Sequence, residues 1–148
     1  MHIGALPGER QIRIEEEGKL ETASGLTVSY IDQDTSFLRG SISAFCAARN
    51  LEESLFCAVL NQLGVERVQF IKNMEDFSQG QKKKVLIAAS LMTEAHLYIW
   101  DEPLNYIDIF SRIQLENLLL KYNPTMLVVE HDVRFRERIA TNTVLLKI

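Results

Sequence analysis

Two runs of consecutive apolar residues, Leu97 to Trp100 and Met126 to Val129, each stop abruptly at ionisable residues: Asp101-Glu102 after the first, Glu130-His131-Asp132 after the second. A continuous apolar run has no polar face to turn to water, so each reads as a strand covered on both sides, the habit of parallel strands joined by helical crossovers. The crossovers are legible too. Val85, Leu86, Ala89 and Met92 give an apolar face to a helix that starts at Ser78, and another helix spans about Asp108 to Leu120 before Pro124. This order predicts an α/β domain, a mostly parallel sheet flanked by helices, with polar residues gathered where the strands end and such sheets bind ligands.

Upstream, Ile12 and Ile14 alternate with Arg13 and Glu15, and Leu26, Val28 and Tyr30 alternate with Thr27 and Ser29, which predicts strands punctuated by Gly18 and Gly25. Glu15 to Glu17 read as a solvated turn. A short helix is expected over about 40–48. A second is expected to open at Asn50 as N-cap, with Glu53 at N3, to carry Leu51, Leu55, Phe56, Val59, Leu60 and Leu63 on one face, and to close at Gly64. A short helix and a last strand from Thr143 to Ile148 complete the order.

Composition narrows the class. With 148 residues, 47% hydrophobic and 24% charged, the chain has the arithmetic of a single globular domain and not of a disordered one. Sixteen Lys and Arg against twenty Asp and Glu, a net charge of -4, exclude nucleic-acid binding by bulk charge. No apolar stretch approaches the roughly 20 residues of a membrane-spanning helix, and residues 1–10 lack the basic and apolar regions of a secretory signal, so a cytoplasmic location is expected. Cys46 and Cys57 lack metal-ligand spacing and read as packing residues.

Asp101-Glu102 at the end of a buried strand is the arrangement that magnesium-dependent phosphate chemistry uses, one carboxylate holding the metal shell and its neighbour orienting a water. The plain alternative is two solvated carboxylates opening a loop at Pro103. Ser78-Gln79-Gly80-Gln81 opens a helix whose free amides and dipole suit an anion, with Gly80 allowing close approach. Ser78 and Gln81 equally form a capping box that needs no ligand. Gln33 and His131, taken singly, are polar residues after strands. Lys82, Lys83 and Lys84 read as a solvated helix face in preference to a phosphate or RNA patch, and the absence of G-x-S-x-G excludes the common serine-hydrolase elbow.

In order and spacing, these features resemble the ABC ATPases. Gln33 resembles the Q-loop glutamine, Phe77 to Gln81 the signature loop, Leu97 to Glu102 the Walker B strand, Asp108 the D-loop aspartate and His131 the switch histidine. The run Asp101-Glu102-Pro103-Leu104-Asn105-Tyr106-Ile107-Asp108 is similar to the D-E-P-x-N-x-x-D of the ABC-F subfamily, twin-cassette proteins that act on ribosomes, and within it to the second cassette of the antibiotic-resistance type. The resemblance implies a P-loop NTPase fold with a helical signature subdomain over about 36–93 and a core from the Walker B strand over about 94–148. It implies ATP and Mg2+ as cofactors, Glu102 and His131 as catalytic, and Asp101 with Gln33 at the metal. Gln33, Ser78, Gln79, Gly80, Gln81 and Asp108 would bind nucleotide, the signature loop acting in trans on a partner cassette. The ribosome is the implied larger partner, and no membrane is expected.

The family's phosphate loop, G-x-x-x-x-G-K-S/T, does not occur in this sequence; the Gly18-Lys19 pair is followed by Leu20 and lacks the upstream glycine. A cassette truncated ahead of Gln33 is therefore expected, inactive by itself, with open strand edges that invite self-association. Two other readings stay open: the nucleotide-binding domain of a membrane transporter, which Asn105 speaks against, and a non-catalytic dimerisation module, which the pairing of Glu102 with His131 speaks against. Calorimetric titration of the 148-residue chain with Mg-ATP is expected to give no saturable heat. Binding tighter than micromolar would show that some other segment supplies the phosphate cradle.

Overall fold

The computed structural model describes residues 4–6, 9–13 and 24–144. Its elements follow the order β1 (Gly4–Leu6), β2 (Glu9–Arg13), β3 (Val28–Ile31), α1 (Ile42–Arg49), α2 (Glu53–Gln62), α3 (Gln79–Met92), β4 (Leu97–Asp101), α4 (Ile109–Tyr122), β5 (Met126–Val129) and α5 (Val133–Ile139). β1 and β2 form an antiparallel hairpin. The other strands make a parallel sheet in the order β3-β4-β5. The two apolar runs are thus neighbours, and the expected α/β architecture is present; β5, however, is not covered on both faces, since Leu127 is exposed and the rest of the strand is half-buried. The solvated turn at Glu15 to Glu17 lies outside the described residues, as does most of the last expected strand; Thr143 and Val144 are described and are not in a strand.

Helix boundaries follow local chemistry, with one correction. Asn50 is not the N-cap of α2. It takes a left-handed conformation at φ +54° and ends α1, its N–H donating to the carbonyls of Ala47 and Cys46. An asparagine tolerates that conformation at a helix end. The N-cap of α2 is Glu52, whose carboxylate accepts from the amides of Ser54 at 3.0 Å and Leu55 at 2.6 Å. Gly64, at φ +89°, follows α2 as expected, and Ser78, Asp108 and Asp132 cap α3, α4 and α5.

The strand alternation ahead of Ile31 has the opposite phase from an apolar-inward reading. Ser29 and Ile31 are buried, while Tyr30 is exposed. The reason is a polar contact inside the core. Trp100, fully buried in β4, donates its indole N–H to Ser90 Oγ at 2.9 Å, and Ser90 Oγ shares a hydrogen bond of 2.7 Å with Ser29 Oγ. An indole N–H withdrawn from water needs a partner, and the hydroxyl pair provides it while fastening α3 to β3 and β4. Around this point pack Phe56, Leu60, Leu63, Met74, Ile87 and Leu104.

α3 is buried continuously from Lys83 to Ser90, because it packs on α2 and on β3. A helix with covered surroundings on most sides no longer reads as amphipathic. Lys83 and Lys84 are consequently buried, at 2% and 7% exposure, and the expectation of a solvated lysine face holds only for the half-buried Lys82. Among the described residues, no helix is long and apolar enough to cross a membrane. Ser90→Ala removes the acceptor of the Trp100 N–H, and a loss of roughly 1–3 kcal/mol is expected, the range for a buried donor left unsatisfied. Urea unfolding followed by the fluorescence of this single tryptophan measures it; an unchanged midpoint would remove the triad from the account of stability.

Candidate functional site

The pairing register assembles the first group of site residues. β4 is the middle strand, with Trp100 opposite Ile31 of β3 and Asp101 opposite Val129 of β5. Residues following the three strands therefore emerge along one edge: Asp32 and Gln33 after β3, Asp101 and Glu102 at the end of β4, Glu130 and His131 after β5. Gln33 is exposed, and its backbone N–H donates to Asp32 Oδ1 at 2.6 Å.

Glu102 is the most constrained of them. Its N–H donates to the Val129 carbonyl at 2.8 Å, and its backbone is left-handed at φ +47°, an unfavourable conformation for a side chain of this kind. One carboxylate oxygen accepts from Asn105 Nδ2 at 2.9 Å; the other lies 3.2 Å from His131 Nε2. His131 is 84% exposed in its side chain, so the pair opens outward. Glu130, which sequence reading noted only as a strand end, braces two loops: Oε1 accepts from the amides of His131 and Asp132, and Oε2 from the amide of Leu104. A carboxylate shared by three loop amides leaves no periodic trace in a sequence.

The second group lies at the start of α3. The capping box is complete, Ser78 Oγ accepting from Gln81 N–H at 3.1 Å and Gln81 Oε1 from Ser78 N–H at 3.0 Å, so both residues have a structural role whatever they bind. Gly80 has a reason beyond anion approach. A Cβ there would stand 2.5 Å from the Tyr106 carbonyl oxygen, so only glycine lets the loop after β4 lie this close. Ser78, Gln79, Gly80, Gln81, Lys84, Tyr106, Asp108 and Gly64 line an open cavity of about 440 Å³. Glu102, His131, Asp101 and Gln33 do not line it; the structure keeps the two groups apart. Gln79 links back toward the sheet edge, accepting a hydrogen bond from Thr35 at 3.0 Å.

Asp108 is the centre of this cavity's charge. Its carboxylate caps α4 by accepting from the Ser111 amide, accepts also from the Ser111 hydroxyl, and meets Lys84 Nζ at 3.0 Å. Burial works against its charge, yet the Ser111 donors and the Lys84 ammonium hold its carboxyl far below the usual carboxylate range.

Among the described residues, no three His, Cys, Asp or Glu side chains converge as a metal shell. Asp101 closes the central strand.

The family model described as ABC transporter matches residues 7–105 of this chain. The ATP-binding protein Uup of Buchnera aphidicola subsp. Schizaphis graminum is 29% identical over 146 residues, covering 91% of this chain and 24% of that protein. The ribosome protection protein VmlR of Bacillus subtilis is 35% identical over 80 residues, 54% of this chain and 15% of that protein. Among solved structures, the complex of an archaeal ribosomal stalk protein with the archaeal ribosome recycling factor aABCE1 is similar at TM-score 0.64 and 30% identity, over 84% of this chain and 25% of that one. The chain thus spans about a quarter or less of the length of each.

Asp108→Asn keeps the helix cap and discards the charge. A carboxyl with a depressed folded pKa stabilises the fold above its unfolded value of about 3.9 and loses that contribution as pH falls below it toward the folded value. The variant is expected to be less stable at pH 7 by roughly 1 kcal/mol, discounted because the side chain is 56% exposed. The gap to the parent should narrow as pH drops below about 4. A gap in urea midpoints that stays constant into acid would show that the charge contributes nothing.

Proposed function

We propose, from the premise that this chain belongs to the ABC transporter family, that it is part of an ABC-F cassette coupling ATP binding and hydrolysis to action on the ribosome. The observation that carries the reading is Glu102, strained at the end of the central strand and held between Asn105 and His131. It also gives Asn105 a physical role: the amide fixes one carboxylate oxygen and leaves the other facing the histidine. The reading toward the ribosome is supported by the similarity to a protein named for ribosome protection and to a ribosome recycling factor.

In this reading residues 36–93 form the helical signature subdomain and 94–148 the core from the Walker B strand onward, as in the second cassette of the antibiotic-resistance type. The reaction is in-line attack of water on the γ-phosphate of ATP. Glu102 orients that water and takes its proton, and His131 contacts the γ-phosphate. Asp101 and Gln33 hold Mg2+, which neutralises the phosphate charge when bound. The amides of Gln79 and Gly80, which the capping box of Ser78 with Gln81 leaves unused, face phosphate carried by a partner cassette, and Asp108, tied to the same cavity, couples the two sites. A cytoplasmic setting goes with this role. The edge of β5 away from β4 is where a further strand, or a second copy of the chain, would pair.

Glu102→Gln in the intact parent protein is expected to lower ATP turnover by ~10²- to 10⁴-fold, the usual contribution of a general base, while ATP binding persists. Turnover equal to that of the unsubstituted protein would sink the assignment.

A further inference from the structure

Lys83 has no task in the function proposed above, and its setting is unlike that of a surface lysine. It sits on the buried stretch of α3 at 2% exposure, with Nζ donating one long hydrogen bond of 3.4 Å to the Asp32 carbonyl. An ammonium has three donors and is costly to remove from water, so something else must hold this one in place. The sheet register identifies it. Because Ile31 lies opposite Trp100 and Asp101 opposite Val129, the residues Asp32, Asp101, Glu102 and Glu130 come out side by side at the strand ends. All four act on Lys83 in the direction that favours its charge, opposing the larger effect of burial, which draws the ammonium below its usual range. Glu102 is tied to Asn105 and His131, and Glu130 to three loop amides. Asp32 and Asp101, at the ends of the two strands nearest α3, are the carboxylates whose charge Lys83 answers.

We propose that the Lys83 ammonium is a resident counter-ion of this carboxylate edge, one that holds the edge together without a divalent cation and competes with such a cation for Asp101. The competition rests on the assignment of Asp101 to the metal. Its physical basis is that a neighbouring positive charge favours ionised carboxylates and repels a second cation from the same oxygens. Binding of Mg2+ would then be weak until phosphate brings further negative charge, so that metal and nucleotide enter together.

The test is Mn2+ binding to the nucleotide-free 148-residue chain, read by the loss of the free-ion electron paramagnetic resonance signal. Lys83→Met is expected to bind Mn2+ at least about tenfold more tightly than the parent, the scale of one neighbouring charge, and Lys83→Arg to behave as the parent. Adding Asp101→Asn to Lys83→Met should abolish the gain. Equal or weaker binding by Lys83→Met overturns the counter-ion role, and a gain that survives Asp101→Asn overturns the competition at Asp101. If Lys83→Met is unfolded without metal, recovery of its near-ultraviolet circular dichroism in millimolar Mn2+ supports the proposal, and persistent unfolding overturns it. The assignment of Asp101 is judged separately, by Mg-ATP binding to Asp101→Asn in the intact parent, so the two failures are distinguishable.

Discussion

The position of β4 between two parallel neighbours is the constraint on which the remaining geometry depends. Parallel pairing on both sides fixes Trp100 against Ile31 and Asp101 against Val129, and the first group of candidate residues emerges where those three strands stop. A slip of one residue would turn Asp101 inward and move Glu102 out of reach of the Val129 carbonyl. The register is itself secured from within, because the indole N–H of Trp100 is satisfied by Ser90 Oγ, which in turn is hydrogen-bonded to Ser29 Oγ of β3.

From that edge the loop after β4 reaches the start of α3, and contact between them is close enough to dictate residue choice. Gly80 admits the Tyr106 carbonyl, Lys84 meets Asp108, and Asp108 caps α4, while the single proton of the Ser111 hydroxyl is shared between Asp108 Oδ1 and the Leu63 carbonyl at the end of α2, each 2.7 Å away. The helix N-terminus, the loop and two helices are thus connected through a few polar contacts around one cavity. A change in the loop that follows Glu102 has a direct route to the start of α3, through the contact of the Tyr106 carbonyl with Gly80 and of Asp108 with Lys84.

The two buried lysines belong to the same design and differ in what they answer. Lys84 has a defined partner at 3.0 Å and serves to hold Asp108 ionised. Lys83 has only a long bond to a carbonyl and the field of four carboxylates. Buried charges persist where opposite charge compensates their desolvation, and here the compensation comes from carboxylates of the two candidate groups.

Much of this was legible in the residues themselves. The apolar run of β4 reads as a covered strand, and its Ile99 and Trp100 are buried, while Ser78 and Asp108 mark helix starts because their side chains satisfy local amides. The run of β5 reads the same way, yet its Leu127 is exposed and none of its residues is buried. What the tertiary structure alone decided is what depends on neighbours distant in the chain. Asn50 and Glu52 compete for a helix boundary that local rules assign to the wrong one, and Ser29 lies inward against Ser90, 61 positions later, whose hydroxyl accepts from Trp100. The lysines that look solvated are buried because α2 and β3 cover their helix. Local patterns report what a segment can do with water and its own backbone; they do not report which partner arrives to cover it.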